Sequence, residues 1–492
     1  MWILLLVICA ILFLIYLKKY GDYWKKRGVF QVNYVLFKFI YNKGSIIEIC
    51  KDIFDKYPHQ SNIGIFMGSP VLLVKDLRDI QAILQSNFQN FFSRGIKSNP
   101  EDILSDNVLL IEDYHRWKLI RNKLSPIFTR MKLKNMYYIM DRCAQDFTQF
   151  IKETKCIQRD TYHSLYNYTA SSITATLFGI DATNKTTMNS PFMEMARNAM
   201  APSLLFNIKS ILSSMSPTIF YLLNIKFFGD YEDFFIGAVK KVLELRRHEQ
   251  GVEKHHDFID MCIELQGQGT MKDPATDYEM EATDEVLAAQ AFFFFLAGVD
   301  TSATAIHFTL LELASNPEVL KRVHAEIDKM FEESNENLRY EDVEKLEYLD
   351  MVLSESMRKY PPIGLIQRLC TEAVTLPSGI RIDKDTLINV PVYALHRDEK
   401  LFPNPTVFDP ERFSPKNVSK MSKFSYIPFG DGNRKCIGIK LLFTNFLITS
   451  GLSWLLKKYT LKPQKYAPVS FAHSFFSIKD EKANFELIPR EF

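Results

Sequence analysis

The sequence predicts a mainly α-helical protein with a minor β-sheet domain, and three observations carry that prediction. From about Asp76 to Tyr360 most long stretches repeat their apolar residues at helical spacing. Apolar runs broken by glycine and proline, around Gly68-Ser69-Pro70 and Pro377-Ser378-Gly379, read as small hairpins. At 492 residues and 47% hydrophobic content the chain can bury a sizeable core, as one large domain or two.

Composition narrows the partners. Sixty basic residues stand against 58 acidic ones, so bulk charge gives no reason to expect nucleic acid. Seven scattered cysteines without a C-x-x-C pair do not read as a disulfide framework, which agrees with a reducing compartment. Sequons at Asn167, Asn184 and Asn417 are then chance matches.

In chain order, Met1 to Leu17 is uncharged and almost wholly apolar, and Lys18, Lys19, Lys25, Lys26 and Arg27 follow it. With no positive region before it and no small-residue cleavage site after it, residues 1–19 read as an uncleaved membrane anchor. The trailing positive charges keep the remainder cytosolic. Residues 20–34 read as a linker. Ile63 to Asp76 is a hairpin, and Gln266 to Met280 is a polar loop separating helices. At Pro317 the helix grammar is clear: Asn316 can cap, proline takes the first position, and Leu320, Val323, Ile327, Met330 and Phe331 form one stripe. Ala373 to Leu376 and Ile380 to Ile382 are short strands. Ala201 to Phe228 is rich in Leu, Ile and Phe with few charges.

Three stretches carry chemistry. Phe292 to Leu296 is apolar on every helical face, so its helix is central and buried. Gly298 and Asp300 follow at once, each a penalty in such a helix that something must offset. Two readings meet that demand: a kink with a satisfied carboxylate, or a distorted turn that makes room for a small molecule, with Thr301 and Asp300 relaying protons. Glu355 and Arg358 are three apart on a helix that Pro361 ends, and so share a face. Phe429-Gly-Asp-Gly-Asn-Arg-Lys-Cys436-Ile-Gly438 sets one thiol among two glycine turns and two cations, Arg434 and Lys435, before an apolar helical pattern. That setting favours thiolate, the form that ligates a soft metal. The histidines add no zinc site: His255-His256 lies in a polar stretch, and His396 has no ligand partner at helical spacing.

The pattern F-x-x-G-x-R-x-C-x-G resembles the haem-binding loop of the cytochrome P450 superfamily, with every fixed position filled. Ala297-Gly-Val-Asp300-Thr301 is similar to its A-G-x-[DE]-T signature, Leu353-Ser-Glu-Ser-Met-Arg to its E-x-x-R helix, and Pro410-Glu-Arg412-Phe413 to the arginine that completes that triad. The resemblance implies the cytochrome P450 fold with an N-terminal transmembrane anchor and a haem-thiolate catalytic domain over residues 35–492. Cys436 is then the axial ligand of haem b iron. Phe429 and Ala297 flank the haem, and Trp117, Arg121, Arg368 and Arg434 face its propionates. Thr301 and Asp300 are the catalytic relay. The implied activity is monooxygenation of an apolar small molecule, with the pocket lined partly by Phe293, Phe294, Ile363, Gly364 and Leu365. NADPH supplies electrons through NADPH–cytochrome P450 reductase, docked near Lys420, Lys423, Lys435 and Lys440, with cytochrome b5 as a further partner. The catalytic domain faces the cytosol at the endoplasmic reticulum membrane, and Ala201 to Phe228 dips into the bilayer. The rivals are a peroxide isomerase or dehydratase of the same fold, or a non-catalytic membrane-anchored haem binder.

Overall fold

A 32-residue helix, Asp284–Ser315, forms the axis of the computed structural model. Residues 21–33, 35–42, 45–67, 69–154, 160–179, 183, 190–200, 204–215, 217–248, 257–438, 443–463, 471, 477–480 and 483–491 are described. The expected anchor, Asn184, His255-His256 and Lys440 lie outside them. Among the described residues this is the one helix long and apolar enough to cross a membrane, but 72% of its most apolar window is buried, so it is a core helix.

Helices of eight residues or more are numbered in chain order: α1 Val35–Asn42, α2 Ile46–Lys56, α3 Tyr114–Leu124, α4 Arg130–Thr154, α5 Thr161–Phe178, α6 Pro191–Met200, α7 Leu204–Met215, α8 Glu232–His248, α9 Phe258–Gly267, the axial α10, α11 Pro317–Glu333, α12 Glu347–Lys359 and α13 Phe443–Lys458. Thr283 caps α10 by accepting from the Val286 N–H. Helix α5 packs along α10, and the contact explains Gly298: a Cβ there would meet Ile173 Cδ1 at 2.8 Å. The helix continues through this glycine, and its close approach to Ile173 gives Gly298 a packing reason that the sequence did not show. The Pro317 stripe is buried as expected, at about 1.5–3 kcal/mol per large side chain. Asn316 holds the N-cap position as expected, but its side chain makes no cap bond, because its amide donates back to the Glu312 carbonyl at 2.7 Å.

The main sheet has the order β1-β2-β3-β9-β6. Its strands are β1 Gln31–Val32, β2 Asn62–Phe66, β3 Pro70–Val74, β6 Ile366–Leu369 and β9 Leu387–Val390. The β2–β3 hairpin is antiparallel, with Ile63 opposite Leu73, and β9 joins β3 in parallel. The strands β7 Val374–Thr375 and β8 Arg381–Ile382 pair antiparallel where expected. Two expectations change. The described part of the linker is built into the fold, since β1 pairs with β2 and Trp24 is fully buried against Gly64. A large aromatic this close to a sheet gains more from burial than a spacer gains from freedom. The polar loop 266–280 contains a hairpin, β4 Met271–Lys272 with β5 Glu279–Met280. Lys118 of α3 holds it through Asp273 at 3.0 Å.

Candidate active site

The cysteine loop is shaped by two left-handed glycines, Gly430 at φ 69° and Gly432 at φ 73°. A Cβ on Gly432 would overlap the Leu84 carbonyl, so only glycine lets the loop lie against that turn. Asp431 Oδ1 accepts from the Gly432 N–H at 2.6 Å and from Gln85 Nε2 at 2.9 Å. Phe429 serves through its backbone, its carbonyl accepting from the Cys436 N–H at 2.9 Å. Cys436 is exposed, whereas Cys50, Cys143, Cys262 and Cys370 are buried. Burial pushes the Cys50 thiol up to about 12 and Cys370 to about 11, which leaves those thiols inert.

Around this loop the fold gathers arginines from four separate stretches. Arg434 Nη1 donates to the Leu109 carbonyl at 3.1 Å and Nη2 to that of Ile111 at 3.0 Å, with its guanidinium 4.5 Å from the Trp117 ring centre. Arg121 Nη2 donates to the Lys435 carbonyl at 2.6 Å. Arg368 lies on β6, whose Leu369 bridges to Ser93. That bridge brings in Arg94, a residue the sequence reading missed. Its only local signal is an arginine between aromatics and a glycine, and the pairing that places it spans the chain. Sequence neighbours also misled in one respect: the guanidinium charges that act on Cys436 include those of Arg94 and Arg121.

These cations are poorly compensated. Burial first, then the neighbouring guanidinium groups, hold Arg94, Arg368 and Arg434 well below the usual range, with Glu112 offsetting part of this at Arg434. The Nε atoms of all three are buried without a hydrogen-bond partner. Arginine does not shed its proton in a protein, so such a cluster calls for an anion with several acceptor oxygens. The two propionates of haem fit that demand, and Cys436 fits the iron.

On the distal helix α10, Ala297 and Thr301 are joined: Thr301 Oγ1 donates to the Ala297 carbonyl at 2.6 Å. Asp300 has the partners its burial requires. Tyr162 of α5 donates to its Oδ1 at 3.1 Å, and Lys479 Nζ lies 3.6 Å from the same oxygen. Successive helix residues differ by about 100° in direction, which is why Asp300 and Thr301 bond to different neighbours. Helix α10 reaches the arginine cluster through Gln290, which accepts from the Val108 N–H at 2.9 Å and donates to the Asp106 carbonyl at 2.8 Å. The segment 106–111 is thus held between α10 and Arg434.

The E-x-x-R pair is fully buried. Arg358 donates to Glu355 through Nε at 2.7 Å and Nη2 at 2.8 Å, and Arg412 Nε is 3.5 Å from the same carboxylate. Among the expected pocket residues, Phe293 is half-buried, Leu365 is buried and Ile363 is exposed. Phe294 instead packs into the core against Phe128 and Phe258, at ring separations of 5.0 and 5.6 Å. Asn167 is buried in α5, which removes it as a glycan acceptor.

The sequence matches the cytochrome P450 family over residues 29–487. It is 31% identical to cytochrome P450 6j1 of Blattella germanica, over 93% of this chain and 90% of that protein. It is 30% identical to cytochrome P450 6B7 of Helicoverpa armigera over 94% of each chain, and 32% identical to the probable cytochrome P450 6a21 of Drosophila melanogaster over 83% and 82%. A family match spanning nearly the whole length, on a mainly helical body that places one exposed cysteine beside uncompensated buried arginines, means that the chain belongs to the cytochrome P450 family.

Proposed function

We propose that this haem-thiolate monooxygenase holds its haem iron through Cys436 and the propionates against Arg94, Arg121, Arg368, Arg434 and Trp117. The observation that carries the assignment is the trio of buried arginine Nε atoms without acceptors beside the exposed Cys436. Bound haem supplies oxygen activation, with thiolate donation favouring O–O cleavage. The protein's own residues position and protonate. Phe429 and the two glycines fix the sulfur, and Gln290 and Arg434 tie the distal helix to the propionate side. Thr301 is the proton donor at the distal face, its hydroxyl leaving the Ala297 carbonyl to do so, and Asp300 reaches it through water.

Electrons come from NADPH through a flavoprotein reductase that docks on exposed Lys420 and Lys423, with cytochrome b5 as an alternative donor. The substrate is an apolar small molecule, admitted beside Phe293 and Ile363. The catalytic body sits on the cytosolic face of the endoplasmic reticulum membrane. Leu205, Ile208, Ile219, Leu222 and Leu223 support a second bilayer contact, being between 48% and 80% exposed.

The test is spectroscopic first. Ferrous protein with carbon monoxide should show the red-shifted Soret band of a thiolate complex, and Cys436→Ser should lose it together with turnover. An unshifted band in folded wild-type protein would sink the assignment. With a reductase present, Thr301→Ala should keep consuming NADPH while product per NADPH falls and hydrogen peroxide rises. General acid–base contributions of about 10²–10⁴-fold bound the loss, and entering water softens it. Unchanged coupling would make Thr301 a packing residue.

A further inference from the structure

His396 is fully buried at the C-terminus of the one-turn helix Val392–Leu395 and is linked to two distant parts of the fold at once. Its backbone carbonyl accepts from Arg358 Nη1 at 2.8 Å, and its ring Nε2 accepts from the Ile427 N–H at 2.9 Å. A backbone N–H can only donate, so Nε2 is the unprotonated nitrogen and the imidazole is neutral. Burial, reinforced by Arg358 and Arg397, agrees by pushing its pKa down to about 3. From Ile427 the chain of bonds continues: the Gly430 N–H donates to the Ile427 carbonyl at 3.0 Å, and the Phe429 carbonyl receives the Cys436 N–H. Ile427 is itself buried, so its N–H has no water to turn to if the acceptor is lost. The ring is further fixed against Tyr426, 5.2 Å between centres, whose hydroxyl donates to the Ser354 carbonyl of α12 at 2.9 Å.

We propose that His396 is a positioning residue for the cysteine ligand, its neutral Nε2 coupling the Glu355–Arg358 pair to the entrance of the Cys436 loop. This rests on the haem-thiolate reading above. The role belongs to one acceptor atom and not to ring volume, and side-chain geometry separates the two. Nε2 is three bonds from Cβ, as is the carbonyl oxygen of glutamine. The asparagine oxygen is two bonds out, where Nδ1 stands.

The experiment compares His396→Gln, His396→Asn and His396→Leu in the full-length haem-loaded protein. Two quantities are read: the time course over which mild urea converts the red-shifted ferrous carbon monoxide band to an unshifted one, and amide hydrogen exchange at Ile427. A bond worth about 1–3 kcal/mol when lost from a buried donor predicts roughly 5- to 150-fold faster exchange and band conversion in the Asn and Leu variants. Gln should stay within about threefold of wild type. Equal behaviour of Gln and Asn, or Leu matching wild type, overturns the proposal while leaving the haem assignment intact. Absence of the shifted band in wild type overturns the haem assignment itself. Should Leu fail to fold, the Gln and Asn pair still decides.

Discussion

Two groups of arginines are withdrawn from water in this fold, and they differ in how their charge is met. Arg358 has no exposed side-chain surface, yet both Glu355 oxygens and the carbonyls of His396 and Pro405, at 2.7 to 2.8 Å, receive its protons. Arg368 and Arg434 are almost as deeply placed and Arg94 is half-buried, but each keeps a buried Nε without an acceptor, and they repel one another. In the first group Arg358 is finished by the chain alone, and Arg412, whose Nε makes no hydrogen bond, still has the Glu355 carboxylate as counter-charge at 3.5 Å. The second is completed by something the chain does not encode, which is why burial of a charge marks a scaffold in one place and a ligand site in the other.

The comparison breaks most sharply at Glu355. Glu355→Ala strands Arg358 without a counter-charge, and removal of one partner of a buried pair costs about 3–5 kcal/mol. Urea unfolding followed by tryptophan fluorescence should show that loss with or without haem. A variant that unfolds like wild type would mean the pair is dispensable.

Acid should act on the first group through His396. His396 has its pKa lowered to about 3 in the folded protein, against about 6.5 in an unfolded chain. Between those values the unfolded chain binds a proton that the folded one refuses. Its contribution to stability is therefore complete above pH 6.5 and lost as pH falls towards 3, with a slope approaching about 1.4 kcal/mol per pH unit. His396→Gln removes that slope. Unfolding midpoints at a series of pH values for both proteins measure the difference.

The arginine cluster should respond in the opposite sense to truncation. Arg368→Met removes a repelling cation, so haem-free protein should be no less stable than wild type, while haem binds more weakly. Each lost charge-assisted hydrogen bond is worth about 1.5–3 kcal/mol, or roughly 10- to 150-fold in affinity. Haem with methylated propionates should bind wild type poorly and gain little from the native arginine. If Arg368→Met destabilises the haem-free protein as Glu355→Ala does, the two groups are alike and the distinction fails.

Much of this was legible in the chain because it depends on residues close in sequence. The Gly430-x-Gly432 turns, the i,i+3 spacing of Glu355 and Arg358, and the β2–β3 hairpin are local geometry, set by backbone sterics and helical pitch. Cys436 stood out because thiol, glycines and cations are consecutive. What lies far apart in the chain was decided by packing. Arg94 joins Arg368 only because Ser93 bridges β6. Asp300 faces Tyr162 and Lys479 because α10 lies against α5. Trp24 turns an expected linker into part of the sheet, and Phe294 turns from the pocket to Phe128. His396 looked idle because its two partners, Arg358 and Ile427, are 38 residues before and 31 after it. Local preference specifies which residues can turn, pair or ligate, whereas the burial that obliges a charge to find a partner exists only once distant elements meet.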